Sequence, residues 1–320
     1  MKKVILFALV VILSFSCTNN DKVILKNSMG RINSLVIVID NSEWLGKPGD
    51  ALRNIIGTPV LGLPQEENQF SVTQAPVKAF KTIFKTSRNL LLVGYGEEDS
   101  YQVKTNLYAS PQLVMTILGK DKASLLTQIE KHKKDIIDVF KQADIKIYQK
   151  KLAQSLLEND TIKTLNNLNI SMDIPSDYRR VDDTGDFLWL RKHIEKGDMN
   201  LIAYQLPLKE EQDIVNSIAA ERDTIGKKYI PGPSDGSYMV TEAAYSPHIM
   251  PTELNKLSAF ETRGKWEVKN DFMAGPFLNY TVIDKANNRL LVFEGFTYAP
   301  NANKRDFMFE LEAIIKTLKI

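Results

Sequence analysis

From Leu35 to Ile39 the chain is continuously apolar between Asn33 and Asp40-Asn41, the pattern of a strand buried on both faces. Gly49 to Ile56 predicts a helix that Gly57 and Pro59 end. A loop punctuated by Pro and Gly covers residues 59–64. Strands are expected around Gln69–Thr73, Asn89–Tyr95, Tyr101–Tyr108 and Leu113–Leu118, with a short helix over Pro76–Thr86. Lys120–Leu168 has a different texture. Leu125, Ile129, Ile136, Val139 and Ile147 recur at helical spacing, and Lys131, Lys133, Lys134, Asp135 and Lys141 occupy the other faces. This reads as amphipathic helices with one solvated side.

A second mixed region starts at Ile170, where Ile170–Pro175 alternates apolar and polar. Val181–Asp186 reads as a turn into a strand at Phe187–Arg191, and Gly197-Asp198 as the turn before a strand at Met199–Leu206. Glu210–Ile225 predicts a helix, broken by Pro231-Gly232-Pro233. Strands follow at Tyr238–Glu242, Ser258–Val268, Phe277–Asp284 and Arg289–Phe296. Lys304–Leu318 closes the chain as a helix that buries Phe309, Leu311, Ile314 and Ile315. The expected fold class is α+β. Two mixed α/β units, 34–118 and 169–320, carry mainly antiparallel sheets flanked by helices, and an amphipathic helical segment, 119–168, joins them.

The first residues are of another kind. Lys2 and Lys3 precede ten apolar residues, Val4–Leu13, and Ser14-Phe15-Ser16 leads to Cys17. Ten residues span about 15 Å as a helix, roughly half a bilayer core, so the segment is a secretory signal covering residues 1–16. Leu13–Cys17 resembles the lipobox of bacterial lipoproteins, with Ser14 where leucine is usual. The resemblance implies that the Cys17 thiol receives a diacylglycerol and that the new amino group is acylated, commonly with palmitate. Two or three chains anchor a protein stably to a membrane. Residues 17–33 then form a polar tether without an acidic run, which favours the outer membrane and its periplasmic side.

Composition narrows the functions available. Removing the signal takes two lysines and no acid, so the formal charge of +2 falls to about zero, which argues against a nucleic-acid partner. Cys17 is the only cysteine, and its lipidation leaves no thiol for catalysis, a disulfide or zinc. The three histidines, His132, His193 and His248, stand in no metal-ligand spacing, and His248 is expected in a loop. Gly94-Tyr95-Gly96 reads as a strand-ending turn, Asp182–Asp186 lacks calcium-loop spacing, and GxSxG is absent. No cofactor or metal is expected.

One constellation is a candidate binding site. A period of two puts Phe187, Trp189 and Arg191 on one strand face, and Leu290, Val292, Glu294 and Phe296 on another. A mid-strand acid needs a partner, with Arg191 or Arg263 available. Trp189, Arg191, Tyr204, Arg263, Trp266 and Glu294 would line a pocket for a small polar ligand or a glycan.

Arg31-Ile32-Asn33, Trp44–Arg53, Trp189-Leu190-Arg191, Gly197–Asn200, Phe293–Phe296 and Arg305-Asp306 together resemble an uncharacterised lipoprotein family of the Bacteroidetes. That resemblance implies an envelope lipoprotein and carries no activity. The second unit also resembles the sandwich of the PsbP family in fold. The expected role is a membrane-anchored binding or interaction module, whose partner is an envelope protein, a glycan or a small polar ligand. The alternative is an envelope hydrolase with a non-motif active site.

Overall fold

A computed structural model describes residues 25–320. The signal segment, Cys17 and the start of the tether lie outside the described residues. In the first unit, β1 (Ser34–Val38), β2 (Ser71–Ala75), β3 (Asn89–Tyr95), β4 (Ser100–Thr105) and β5 (Leu113–Gly119) form a five-stranded sheet in the order β2-β1-β3-β5-β4. Strands β2, β1, β3 and β5 are parallel and edge strand β4 is antiparallel. Helices α1 (Lys47–Ile56), α2 (Lys122–Lys131) and α3 (Lys133–Leu152) bring Leu52, Ile129, Ile136 and Phe140 into one core with Leu35, Ile37, Leu91 and Met115. Helix α2 opens on a capping box, with the Ser124 amide donating to the Asp121 carboxylate at 2.8 Å.

The second unit contains β6 (Arg179–Asp183), β7 (Phe187–Ile194), β8 (Gly197–Pro207), β9 (Met239–Thr241), β10 (His248–Leu254), β11 (Leu257–Val268), β12 (Ala274–Asp284) and β13 (Arg289–Tyr298). They build an eight-stranded antiparallel sheet ordered β9-β11-β12-β13-β8-β7-β6, in which β10 pairs with β11 along the same edge as β9. Helices α4 (Glu211–Tyr229) and α5 (Arg305–Ile315) cover opposite faces. Phe187, Ile202, Phe277 and Val292 pack on the α4 side, and Leu188, Leu201, Leu278 and Leu291 on the α5 side. Cover on both sides explains why β12 and β13 are buried almost along their whole length. Over both sheets antiparallel pairing predominates in a mixed α+β architecture, and the parallel pairs belong to the first unit and its short Lys26–Asn27 pairing with Ala109–Ser110.

The two units meet along α3 and α5. The first half of α3 feeds Ile136 and Phe140 into the first core, and its second half feeds Ile145, Tyr148 and Leu152 into the second. The helical segment therefore has no separate core of its own. Polar groups fasten the seam: Asn33 Nδ2 donates to Asp306 at 2.8 Å, and Gln149 donates to the Ala313 carbonyl at 2.9 Å. The Glu67 carboxylate accepts from the backbone amides of Lys304 and Arg305 at 2.6 and 3.2 Å, so a loop of the first unit caps the start of α5. Gly62 lets the same loop lie on β11, because a Cβ there would stand 2.9 Å from the Gly264 nitrogen, and its φ is +81°.

Several elements differ from the sequence expectation. Arg179–Asp183, read in part as a turn, is edge strand β6, and its charges suit an exposed edge. Asp183 has a further task, accepting from the Lys163 and Thr164 amides, each at 2.9 Å, at the start of the short helix Lys163–Asn167. His248 opens strand β10 and is not in a loop. Gly197-Asp198 lies inside β8, so the turn before it falls at Glu195-Lys196. Pro76–Thr86 is a 3-10 turn followed by the one-turn helix Thr82–Lys85. The fold also takes in residues ahead of Ser34, where Lys26–Asn27 pair with Ala109–Ser110 and Asn33 is fully buried.

Candidate functional site

Strands β7 and β8 place Arg191 directly opposite Asn200. Trp189 Nε1 and Arg191 Nε both donate to Asn200 Oδ1, at 2.9 and 3.1 Å, and the guanidinium sits 4.8 Å from the centre of the Trp189 ring. Trp266 arrives from β11, with its ring 5.7 Å from Phe296 and 6.4 Å from Tyr298. Gly275 on β12 makes room for that indole, because a Cβ there would come within 2.1 Å of the Thr297 carbonyl and 3.0 Å of Trp266 Nε1. Pro231-Gly232-Pro233, Met239 and Met273 close the remaining sides of a cavity of about 260 Å³. Asn200 has spent its oxygen on two donors, whereas its amide nitrogen makes no hydrogen bond among the described residues. Asp198, paired with His193, lies on the cavity wall. The arrangement offers aromatic faces beside a cluster of hydrogen-bonding groups.

Of the six sequence-derived candidates, Trp189, Arg191 and Trp266 share this cavity. Tyr204 and Glu294 lie on the same sheet face but under α4, away from the cavity lining. The partner of Glu294 is neither Arg191 nor Arg263. It is Arg222 of α4, which donates through Nε at 3.0 Å to both carboxylate oxygens and through Nη2 at 2.8 Å. Asn279 adds a bond to Glu294 at 3.1 Å, Thr241 accepts from Arg222 at 3.2 Å, and the guanidinium lies 4.0 Å from the centre of the Phe277 ring. Both side chains are buried and the pair is enclosed, with each charge matched by several bonds. Burial raises the pKa of the Tyr204 phenol well above its ordinary value, and the Glu294 charge adds to that rise.

Arg263 projects from the opposite face. Odd residues of β11 from Glu261 to Glu267 alternate with Thr262, Gly264 and Trp266, so Arg263 and Trp266 cannot share a pocket. Arg263 Nε binds Glu261 at 2.6 Å and Nη2 binds Glu312 of α5 at 2.7 Å. Tyr280 donates to the second oxygen of Glu261 at 2.6 Å. Burial alone would raise the Glu312 carboxyl, but Arg263 and Lys316 outweigh it and hold its pKa down at about 2.

The residues that sequence reading missed did leave a trace. Ile214, Ile218, Arg222 and Gly226 are four apart and all buried in α4, so Arg222 occupies the apolar stripe and not the solvated side. Among the described residues no Ser or Thr hydroxyl hydrogen-bonds to a histidine; His132 and His193 meet aspartates, and His248 meets Tyr245. No group of three or more His, Cys, Asp or Glu among them is placed to hold a metal, and no helix among them is long and apolar enough to cross a membrane.

No curated protein matches the chain. Among solved structures, one titled as the crystal structure of LpqN involved in cell envelope biogenesis of Mycobacterium tuberculosis aligns with a TM-score of 0.31 and 14% identity, over 47% of this chain and 82% of that one. A likeness of that size bears on neither fold nor role. Residues 28–153 match a family model described as a domain of unknown function, DUF8532. Residues 156–317, half of the chain, match a second such model, and the chain therefore belongs to the DUF4837 family, a domain of unknown function.

Proposed function

We propose that the protein is a lipoprotein of the bacterial cell envelope, held by acyl chains on Cys17 at the outer membrane and facing the periplasm, and that its second unit binds a small polar ligand, a glycan in the first instance. The anchor rests on the sequence of residues 1–17. The binding role rests on one observation: Trp189 and Trp266 wall a single cavity that also holds Arg191, Asn200 and Asp198. Sugars present apolar C–H faces and rings of hydroxyls, and they need both an aromatic surface and clustered donors and acceptors. The amide nitrogen of Asn200 and the outer nitrogens of Arg191 can donate to hydroxyl oxygens, and Asp198 can accept.

Two measurements test the reading. Mass spectrometry of the mature amino terminus should find Cys17 as the first residue and triply or doubly acylated; a free thiol there removes the anchor. A glycan array probed with the full chain should give signals that fall at least tenfold in Trp189→Ala, with the melting temperature recorded in parallel. Equal signals from Trp189→Ala, Arg191→Ala and the parent chain would remove the binding site.

A further inference from the structure

The seam between the two units holds a second cavity, of about 310 Å³, separate from the aromatic pocket. Its apolar lining is built from Val60 and Leu61 of the first-unit loop, Ile137 and Ile145 of α3, and Met250 of β10. Its charged lining comes from Lys141, which stands between Ile137 and Ile145 on α3, and from Glu261, Arg263, Glu312 and Lys316. The acceptors there are already in use. Glu261 takes Arg263 on one oxygen and Tyr280 on the other, and Glu312 takes Lys316 on one and Arg263 on the other.

The donors are not used up. Lys141 Nζ has one hydrogen-bond acceptor among the described residues, Asn33 Oδ1 at 2.8 Å, and its other close neighbours are the rings of Phe70 and Phe309, centred 5.2 and 5.7 Å away. An ammonium can donate three hydrogen bonds. Arg263 Nη1 makes none with the described residues. The remaining lining acid, Asp138, is paired outward with Lys134. Three cations thus face two carboxylates, a surplus of one positive charge. Burial pulls the Lys141 ammonium down to about 8, the behaviour of a charge short of partners.

We propose that this seam cavity binds a small amphipathic carboxylate, its head group on Lys141 and Arg263 Nη1 and its apolar body along Val60, Leu61, Ile137 and Met250. A monoanion cancels the surplus charge, whereas a phosphate would bring about −1.5 to −2 and leave the site negative. Both units contribute to the lining, so bound ligand also ties them together. This site stands or falls independently of the aromatic pocket.

The test is ligand-observed NMR on the full chain in detergent, with hexanoate, hexyl phosphate and hexanol as probes and protein-free micelles measured beside it to subtract uptake by detergent. Hexanoate should bind at least tenfold more tightly than hexanol and no more weakly than hexyl phosphate, and Lys141→Met should lose at least tenfold. Gln142→Glu, an exposed substitution at the cavity wall that adds a negative charge, should weaken hexanoate severalfold and leave hexanol unchanged. Equal binding of hexanoate and hexanol overturns the proposal, as does wild-type affinity in both variants. Tenfold preference for hexyl phosphate overturns the choice of carboxylate.

Discussion

Two arginines lie on opposite faces of the same eight-stranded sheet, and they have different fates. Arg222 of α4 lies in a closed cage, where Glu294, Thr241 and Phe277 meet it from three strands and Asn279 binds the Glu294 carboxylate. Arg263 lies at the mouth of the seam, where its two carboxylate partners are shared with Lys316 and Tyr280 and its Nη1 is left over. A saturated buried ion pair specifies how a helix sits on a sheet and offers nothing to a ligand. A charge cluster with unspent donors beside a cavity can still form a bond. The difference is one of geometry, since both are arginines paired with glutamates.

The largest effect is expected at the closed pair. Glu294→Ala leaves the Arg222 charge buried without its partner, and urea unfolding should register a loss of about 3–5 kcal/mol. The double substitution Arg222→Met with Glu294→Leu should recover most of that, because it removes both charges together. Arg263→Met at the open cluster should cost less, about 1–2 kcal/mol, since Glu312 keeps Lys316 and the site reaches solvent. If Arg263→Met costs as much as Glu294→Ala, the contrast between the two faces fails. Its acid behaviour sharpens the point. With its pKa lowered to about 2 in the fold, Glu312 contributes stability above its ordinary range near 4.5, and that contribution is lost as pH falls toward 2. In Arg263→Met the folded pKa moves back up, so the acid-dependent loss should be smaller and should be complete at a higher pH, visible in melts taken from pH 6 to pH 2.

Smaller effects lie along the seam. Glu67→Ala uncovers the first amides of α5 and should cost about 1 kcal/mol in the same unfolding assay. Lys141→Met should have the smallest effect, a gain under about 1 kcal/mol at neutral pH after allowance for solvent screening. Its sign depends on pH. The folded pKa of about 8 is below the ordinary 10.5, so the native chain binds fewer protons than the unfolded one between these values, and its stability rises with pH across that window. The advantage of Lys141→Met should therefore be full below pH 8 and shrink toward pH 10.5. Glu312, Asp306, Arg305 and Arg263 face the same ammonium, so the comparison with Arg263→Met shows how much of the shift is burial.

Much of this was legible in the chain. Continuous apolar runs such as Leu35–Ile39 marked strands buried on both faces, because cover on both faces leaves no polar positions, while the parallel pairing of that strand came only with the structure. The period of two correctly put Phe187, Trp189 and Arg191 together, and separated them from Leu188 and Leu190. The same rule applied to β11 separates Arg263 from Trp266, a step the sequence reading did not take. Partners drawn from different elements left no local signal. Glu294 is 72 residues from Arg222, and Glu67 is 237 from Lys304. The hints were charged residues on apolar stripes: Arg222 between Ile218 and Gly226, and Lys141 between Ile137 and Ile145. Strand β6 was hidden because an edge strand of arginines and aspartates has the composition of a turn.

Helix α3 has a thermodynamic consequence. It is one rigid rod whose two ends are each part of a different core, so melting either core strips the support from half of a helix that the other needs. Severed near residue 154, the first unit would carry Ile145, Tyr148 and Leu152 into water as a bare apolar stripe. Two topological units linked in this way share a single cooperative transition, with one heat-absorption peak where two separable domains would give two.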